Sequence, residues 1–519
     1  RRRLPSLAVK SNTGSPTTLG TKRLPATLTG EGSPSQSTNH SRMAESSRLV
    51  GSPPSSEAAL AETKAPAGGE AGGTSLDTIL NIVNIAFGAG MLGLPYAIQG
   101  SGLLSGTFGM GVVLLWNFHC CSLLVRLRDE VLQARNDALK GSPLFSERGS
   151  PVSFAAIGSY AMGTVGTLLV YVSVVVTLLG AASAYFINAN ELLKATHFYL
   201  QPAGWSDDTA MYVNTFFYMC LMYPLTCIKS LAPLSKLSFP AIVALVAGFA
   251  VIIKLGLDMH GWPPLKEVLD WDALYVPQTF GGFSTFFGVA AFSYGATIII
   301  PEIQASEITT RESMENTDEF IGALKTSLWI IWGSYSVLGG TALLIYQQIG
   351  PVPDNIMARL PSGSAAQEPL LLFITMATLF TYPLAMQPVA SIFEQALIKA
   401  GFGADSPVGQ SEGTAAYGAL SPSRGELPPV MRYGLRAALV LFTGFCATSV
   451  PNFGVVVSLL GSFSVTLGSF VLPPLFHRVV LGERLSSAEK TADEVLCFIG
   501  VVTCVFTTTT TALGVLSGE

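Results

Sequence analysis

The sequence predicts an all-α integral membrane protein of about eleven transmembrane helices. Three observations carry that reading: charge is scarce, apolar runs of near-bilayer length follow one another, and Lys and Arg crowd into alternate connections. Of 519 residues, 49% are hydrophobic and only 12% are charged. A soluble domain carries roughly twice that charge.

Taken in order, residues 1–73 are rich in Ser, Pro, Thr and Gly with scattered Arg and Lys. They cannot bury enough apolar surface to fold alone, so a disordered tail is expected there, ahead of a transmembrane domain over 74–519. The first apolar run starts near Leu76 and is too long for the h-region of a signal peptide. Spans follow at 76–99, 103–126, 164–192, 209–228, 232–257, 281–304, 320–347, 367–397, 433–450, 454–480 and 493–515. Each approaches or exceeds the roughly 20 residues that carry a helix across a bilayer. Helices are required because lipid offers nothing to bare peptide groups. Polar connections are expected at 127–163 and 398–432, the second Gly/Ser/Pro-rich.

Orientation follows from the cations. With a cytoplasmic N-terminus, the outer side keeps only Lys194, Lys254, Lys266 and Arg359 of the 29 Lys and Arg. That asymmetry assigns the tail to the cytoplasm, and the odd span count places the C-terminus outside or in a lumen.

Two spans are poor continuous helices. The first reads N-I-V-N-I-A-F-G-A-G-M-L-G-L-P-Y, with Gly88, Gly90 and Gly93 followed by Pro95. The sixth reads F-F-G-V-A-A-F-S-Y-G-A-T-I-I-I-P, with Gly295 and Pro301. Glycine costs backbone entropy, and proline removes a donor and clashes with the preceding turn. Gly and Pro are also common in ordinary membrane helices, where small residues permit close packing. Paired interruptions in corresponding spans nevertheless point to a transporter binding site. Unwound backbone at membrane depth must line a cavity. There the half-helix starting near Met91 offers its positive end to a carboxylate, while free carbonyls offer themselves to an ammonium or a sodium ion. A zwitterion suits such a site.

Other polar residues have two readings each. Asn81 and Asn84 either hydrogen-bond a neighbouring helix or coordinate an ion. Thr381, mid-span in the eighth run, either back-bonds to its own helix or does the same. Ser293 and Tyr294 flank the sixth-span interruption. His119 is either a proton relay or a hydrogen-bonded bundle residue. Glu302 and Glu394 stand toward inner helix ends as caps or gate pairs, and Asp77 complements the first helix dipole. The seven cysteines all lie in apolar stretches with no metal or disulfide spacing. No nucleophile–base or metal constellation marks an enzyme, no basic-aromatic patch marks a nucleic-acid binder, and no ring of acids marks a channel.

Five motifs in order resemble the amino acid/auxin permease family: G-A-G-M-L-G-L-P-Y-A in the first span, P-L-S-K-L-S before the fifth, I-I-P-E-I-Q-A-S after the sixth, T-Y-P-L-A-M-Q-P in the eighth, and P-N-F-G-V-V-V-S-L-L-G-S at the tenth. The similarity runs from about residue 74 to the end. It implies a LeuT-like fold of two inverted five-helix repeats plus one helix, with the first and sixth broken, and secondary transport of amino acids driven by sodium or protons. N-I-V-N-I-A-F-G-A-G is similar to the sodium-coupled neutral amino acid branch, where the positions matching Asn84 and Thr381 contribute to a sodium site. The same motif also resembles vacuolar members that use protons, so either ion is implied. Unlike animal plasma-membrane relatives, the chain has no cysteine pair in its outer loops.

The sequence expectation is therefore a multi-pass transporter of amino acids, neutral ones foremost, in a plasma or vacuolar/lysosomal membrane. Phe87, Gly88, Ala89, Gly90 and Met91 are expected to face Phe292, Ser293, Tyr294 and Gly295 across the substrate. Sodium or a proton, the former at Asn84 and Thr381, is the coupling ion, and no other cofactor is expected. The alternative is an amino-acid sensor that reports through the tail to a cytoplasmic partner.

Overall fold

The computed structural model describes residues 75–139, 152–228, 238–264, 266, 268, 279–295, 297, 300, 317–359, 367–403, 427–450 and 452–517. All of them belong to the compact unit Gly69–Glu519. The expected tail over 1–73, Glu302 and the side chains of Asp77, Asn81, Asn84 and Ala89 lie outside the described residues.

Among the described residues every regular element is helical. Short α1 (Ser75–Ala86) and α2 (Leu94–Ser101) make the first span. The long helices α3 (Leu103–Leu139) and α4 (Phe154–Leu193) follow, then α5 (Asp207–Thr226) and α6 (Ser238–His260). Next come α7 (Phe280–Ser293), α8 (Thr317–Tyr346), α9 (Gln367–Leu397) and α10 (Pro429–Ser449). The tenth span is α11 (Phe453–Leu460) and α12 (Leu472–Leu481) joined by two π turns, and α13 (Ser487–Ser517) ends the chain. Each expected span overlaps at least one of these helices. Seven described helical stretches are long and apolar enough to cross a membrane; the other expected spans correspond to α1–α2, α5, α6 and α7.

Polar side chains set several starts. Ser153, Ser206, Thr279 and Asn452 each accept from the amide three residues on, which satisfies an otherwise orphaned helix donor. Two expected boundaries are corrected. Residues 127–139 are helix rather than connection, because Leu127 and Val131 continue the apolar stripe of α3 and are buried. The third span begins as a helical stretch at Phe154 and bends at Gly163, whose φ of 64° and ψ of −137° only glycine adopts freely. The bend folds residues 154–162 back, so that Gly158 meets Gly166 backbone to backbone.

Within the bundle α4 packs on α9, α1 on α8, α2 on α7, and α11 on both α7 and α4. A large apolar cluster runs through the bundle, and polar side chains such as Asn117, Asn188, Asn214 and Thr443 are buried beside it. The outer wall is apolar as well: Phe108, Phe445 and Phe498 are 74%, 68% and 69% exposed. Such a surface suits lipid and not water.

Three polar ties hold the ends. Buried Arg436 of α10 donates from Nε to Glu394 at 3.0 Å, and from Nη1 to Gln387 at 3.0 Å and to the Thr226 carbonyl, joining α10, α9 and α5. Glu394 is thus a partner in a buried ion pair. Toward the C-terminal end of α3, Asp129 accepts from the Thr317 hydroxyl at 2.6 Å, and Glu130 takes both arms of Arg484 at 3.2 and 2.9 Å. At the opposite end a loop after α8 is pressed into the bundle, with Val352, Asn355, Ile356 and Met357 buried. Its Asn355 donates to Asn188 at 2.8 Å and to Glu191 at 3.1 Å, and its Asp354 accepts from the Gly454 amide at 2.9 Å.

Candidate functional site

Both expected interruptions are real. The first span stops at Ala86, passes Phe87 and an extended Gly88 (φ −122°, ψ −161°), tightens into a 3₁₀ turn over Ala89–Gly93, and resumes as α2. Pro95 sits in the first turn of α2, where its missing amide costs nothing and its fixed φ favours the helix. The sixth span stops at Ser293, and Tyr294 leaves helical geometry at φ −92°, ψ 8°. The break falls at Ser293 and Tyr294, the pair expected to flank it; Pro301 lies outside the described residues.

The two breaks touch. A Cβ placed on Gly90 would lie 2.7 Å from Ser293 Oγ, 3.1 Å from Phe292 Cδ1 and 3.2 Å from Ser293 Cα. Only a residue without a side chain permits that approach. Ser293 directs its own hydroxyl back to the Val289 carbonyl at 2.8 Å.

Around this contact stands a row of rings. Phe87 stacks on Tyr335 of α8 with centroids 5.8 Å apart, and Tyr294 is tilted against Tyr335 at 5.7 Å. The Tyr335 hydroxyl faces two carbonyls, Ala86 O at 2.6 Å and Ser293 O at 3.1 Å. These are the last carbonyls of the two half-helices. On the far side, Asn117 of α3 donates to Tyr294 O at 3.2 Å and to Thr297 Oγ1 at 2.6 Å. The Tyr294 hydroxyl is buried with no hydrogen-bond partner.

The expected residues are thus partly assembled. Gly90, Phe292 and Ser293 meet directly, and Phe87 and Tyr294 share Tyr335. Met91 is fully buried. Gly88 forms the extended link, and Gly295 faces Val465 of the tenth span rather than the first break. Thr381 donates to the Ala377 and Thr378 carbonyls of its own helix at 3.0 and 2.8 Å, the back-bond that sequence offered as one of its two readings. A cavity of about 310 Å³ opens elsewhere, between α12 and α13 beside Asp493 and Phe498, and includes no residue of either break.

Three residues that sequence reasoning passed over organise the site: Tyr335, Asn117 and Thr297. Asn117 had a signal. An amide inside the apolar run V-L-L-W-N-F is costly in lipid and calls for a partner.

Comparison with known proteins follows the same lines. The family model described as "Transmembrane amino acid transporter protein" matches residues 71–513. "Amino acid transporter ANT1" of Arabidopsis thaliana is 26% identical over 471 residues, covering 88% of this chain and 98% of that protein. "Amino acid transporter AVT3A" of the same plant is 27% identical over 456 residues, covering 85% and 90%. Among solved structures, "Inward facing conformation of Mhp1" is similar in fold, with a TM-score of 0.51, 12% identity, and coverage of 85% of this chain and 91% of that one.

Proposed function

This chain belongs to the transmembrane amino acid transporter protein family, and from that premise we propose that it is a secondary active transporter of amino acids, neutral ones foremost. The observation that carries the reading is the pair of interrupted helices meeting at Gly90 and Ser293. In a membrane, broken backbone is tolerated only in protein or along a water-filled path. The substrate carboxylate goes to the amides that open the second half of the first span, from Ala89 onward, where the helix end is positive. The ammonium goes to carbonyls of the two breaks. Phe87, Phe292 and Tyr294 shape the side-chain pocket, and Gly88, Gly90, Met91 and Gly295 supply backbone.

The coupling ion is sodium or a proton. Sodium is assigned to Asn84 and Thr381 on the strength of the sequence resemblance. Uptake into proteoliposomes with imposed sodium or proton gradients and a panel of amino acids tests the whole reading. Thr381→Ala and Asn84→Ala should weaken sodium dependence. Uptake unaffected by replacing sodium with choline, in wild type and both variants, removes sodium coupling and leaves the proton.

The Ser- and Pro-rich tail supports a second reading, a sensor that reports bound amino acid to a cytoplasmic partner. Deleting residues 1–73 separates the two: transport survives in both cases, and partner binding is lost only in a sensor. The charge asymmetry supports a cytoplasmic tail, in a plasma or vacuolar/lysosomal membrane.

A further inference from the structure

The carbonyl end of a helix is a partial negative charge, of about half an electron. Two such ends meet at the breaks, Ala86 O and Ser293 O, and both aim at one Tyr335 hydroxyl at 2.6 and 3.1 Å. Half-helix carbonyl ends of this kind are what transporters present to a coupling cation. Here the positive partner between them is a phenolic proton on the protein itself. Ala86 O has one further donor, the Gly88 amide at 2.8 Å. The tyrosine is fixed in place: it is wholly buried, and its ring packs against both Phe87 and Tyr294.

We infer that Tyr335 is a positioning residue whose hydroxyl stands in for a cation at the junction of the two breaks, so that this corner needs no sodium to draw the first and sixth spans together. The hydroxyl is tethered, neutral and always present. A cation in the same place would arrive and leave with each cycle. With Ala86 and Ser293 carbonyls engaged, the substrate ammonium is left to other carbonyls of the breaks. Sodium at Asn84 and Thr381 is a separate matter, because Thr381 spends its hydroxyl on carbonyls of its own helix, away from this junction. The consequence for transport rests on the function proposed above; the structural part does not.

Tyr335→Phe removes one oxygen and keeps the ring stack. Backbone hydrogen exchange of the purified variant in detergent, in sodium chloride and in choline chloride, gives a readout independent of transport. Exchange at residues 84–92 and at 290–297 should rise together by up to about tenfold in choline, since the single Tyr335 O–H proton is shared between the two carbonyls and its loss is felt at both segments. Sodium should restore protection in the variant and add nothing to wild type at these segments. In uptake assays the same variant should show a raised KM that sodium lowers, beyond any sodium effect on wild type. A change at only one break, or at neither, overturns the inference, as does loss at both that sodium fails to repair. Unaltered exchange across α9 and α10 reports that the variant is folded; global loss of protection is answered by placing 4-aminophenylalanine at position 335, which keeps the ring and sets an N–H donor where the hydroxyl was, and which should keep both segments protected without sodium if the donor is what matters, so that loss of protection there overturns the inference. If wild type transports no amino acid at all, the transport reading falls while the exchange result stands.

Discussion

Substituting Gly90 by Ala puts the contact between the two breaks to a direct test. The backbone at Gly90 is not in the left-handed region, so alanine carries no conformational penalty and the cost is steric alone. The new methyl would sit 2.7 Å from Ser293 Oγ, where ordinary contact begins at 3.4 Å, and 3.2 Å from Ser293 Cα. The hydroxyl can swing aside, but the Cα belongs to a buried helix end and moves only with α7. Overpacking of this size costs about 1–3 kcal/mol. If the closed contact is part of the cycle, its population falls about 5- to 150-fold relative to states in which the spans stand apart. Initial uptake rates in proteoliposomes should fall within that range while the purified protein stays monodisperse. Ser293→Ala removes the 2.7 Å clash but not the 3.2 Å one, so the double variant should recover part of the loss. Gly90→Ala with wild-type uptake and an unchanged unfolding midpoint would refute the reasoning, since it would mean that the spans never need to approach this closely.

Three further outcomes are expected. Arg436→Met strands Glu394, Gln387 and the Thr226 carbonyl in the bundle and should cost about 3–5 kcal/mol, read as a lower unfolding midpoint; Arg478→Met, whose pair with Glu494 is exposed, should leave the midpoint within error. Asn355→Ala deprives Asn188 and Glu191 of a donor, so hydrogen exchange should speed up over residues 350–359 for a loss of about 1–3 kcal/mol. Tyr294→Phe deletes a buried hydroxyl that has no partner, so the midpoint should hold or rise, whereas the KM for amino acid should increase if that hydroxyl meets the substrate.

The spans were legible because hydropathy reports which solvent a segment faces, and α9 begins and ends where composition alone put it, at Gln367 and Leu397. The first break was legible because Gly88 and Pro95 are backbone instructions carried locally. The sixth was legible at Ser293, Tyr294 and Gly295, and the helix does end at Ser293, where Tyr335 and Asn117 take over the carbonyls. Those partners are the part that sequence did not disclose. Tyr335 and Ala86 are 249 positions apart, and no local period or composition records a contact of that span. The two π turns over 461–471 were equally silent, since S-L-L-G-S-F-S-V-T-L-G-S reads as an ordinary small-residue helix.

The extension of α3 has a mechanical consequence. Its 37 residues run about 55 Å, nearly twice the roughly 30 Å of a hydrocarbon core, so a rigid arm projects into the water. Through Asp129 it grips the first turn of α8, and through Glu130 it grips Arg484 just past α12. A tilt of the buried shaft is therefore magnified at its tip and delivered to two distant stretches of chain at once. Whatever rocks the bundle must either swing both attachments together or let go of one, which makes this water-exposed joint a place to read the state of the membrane interior from outside it.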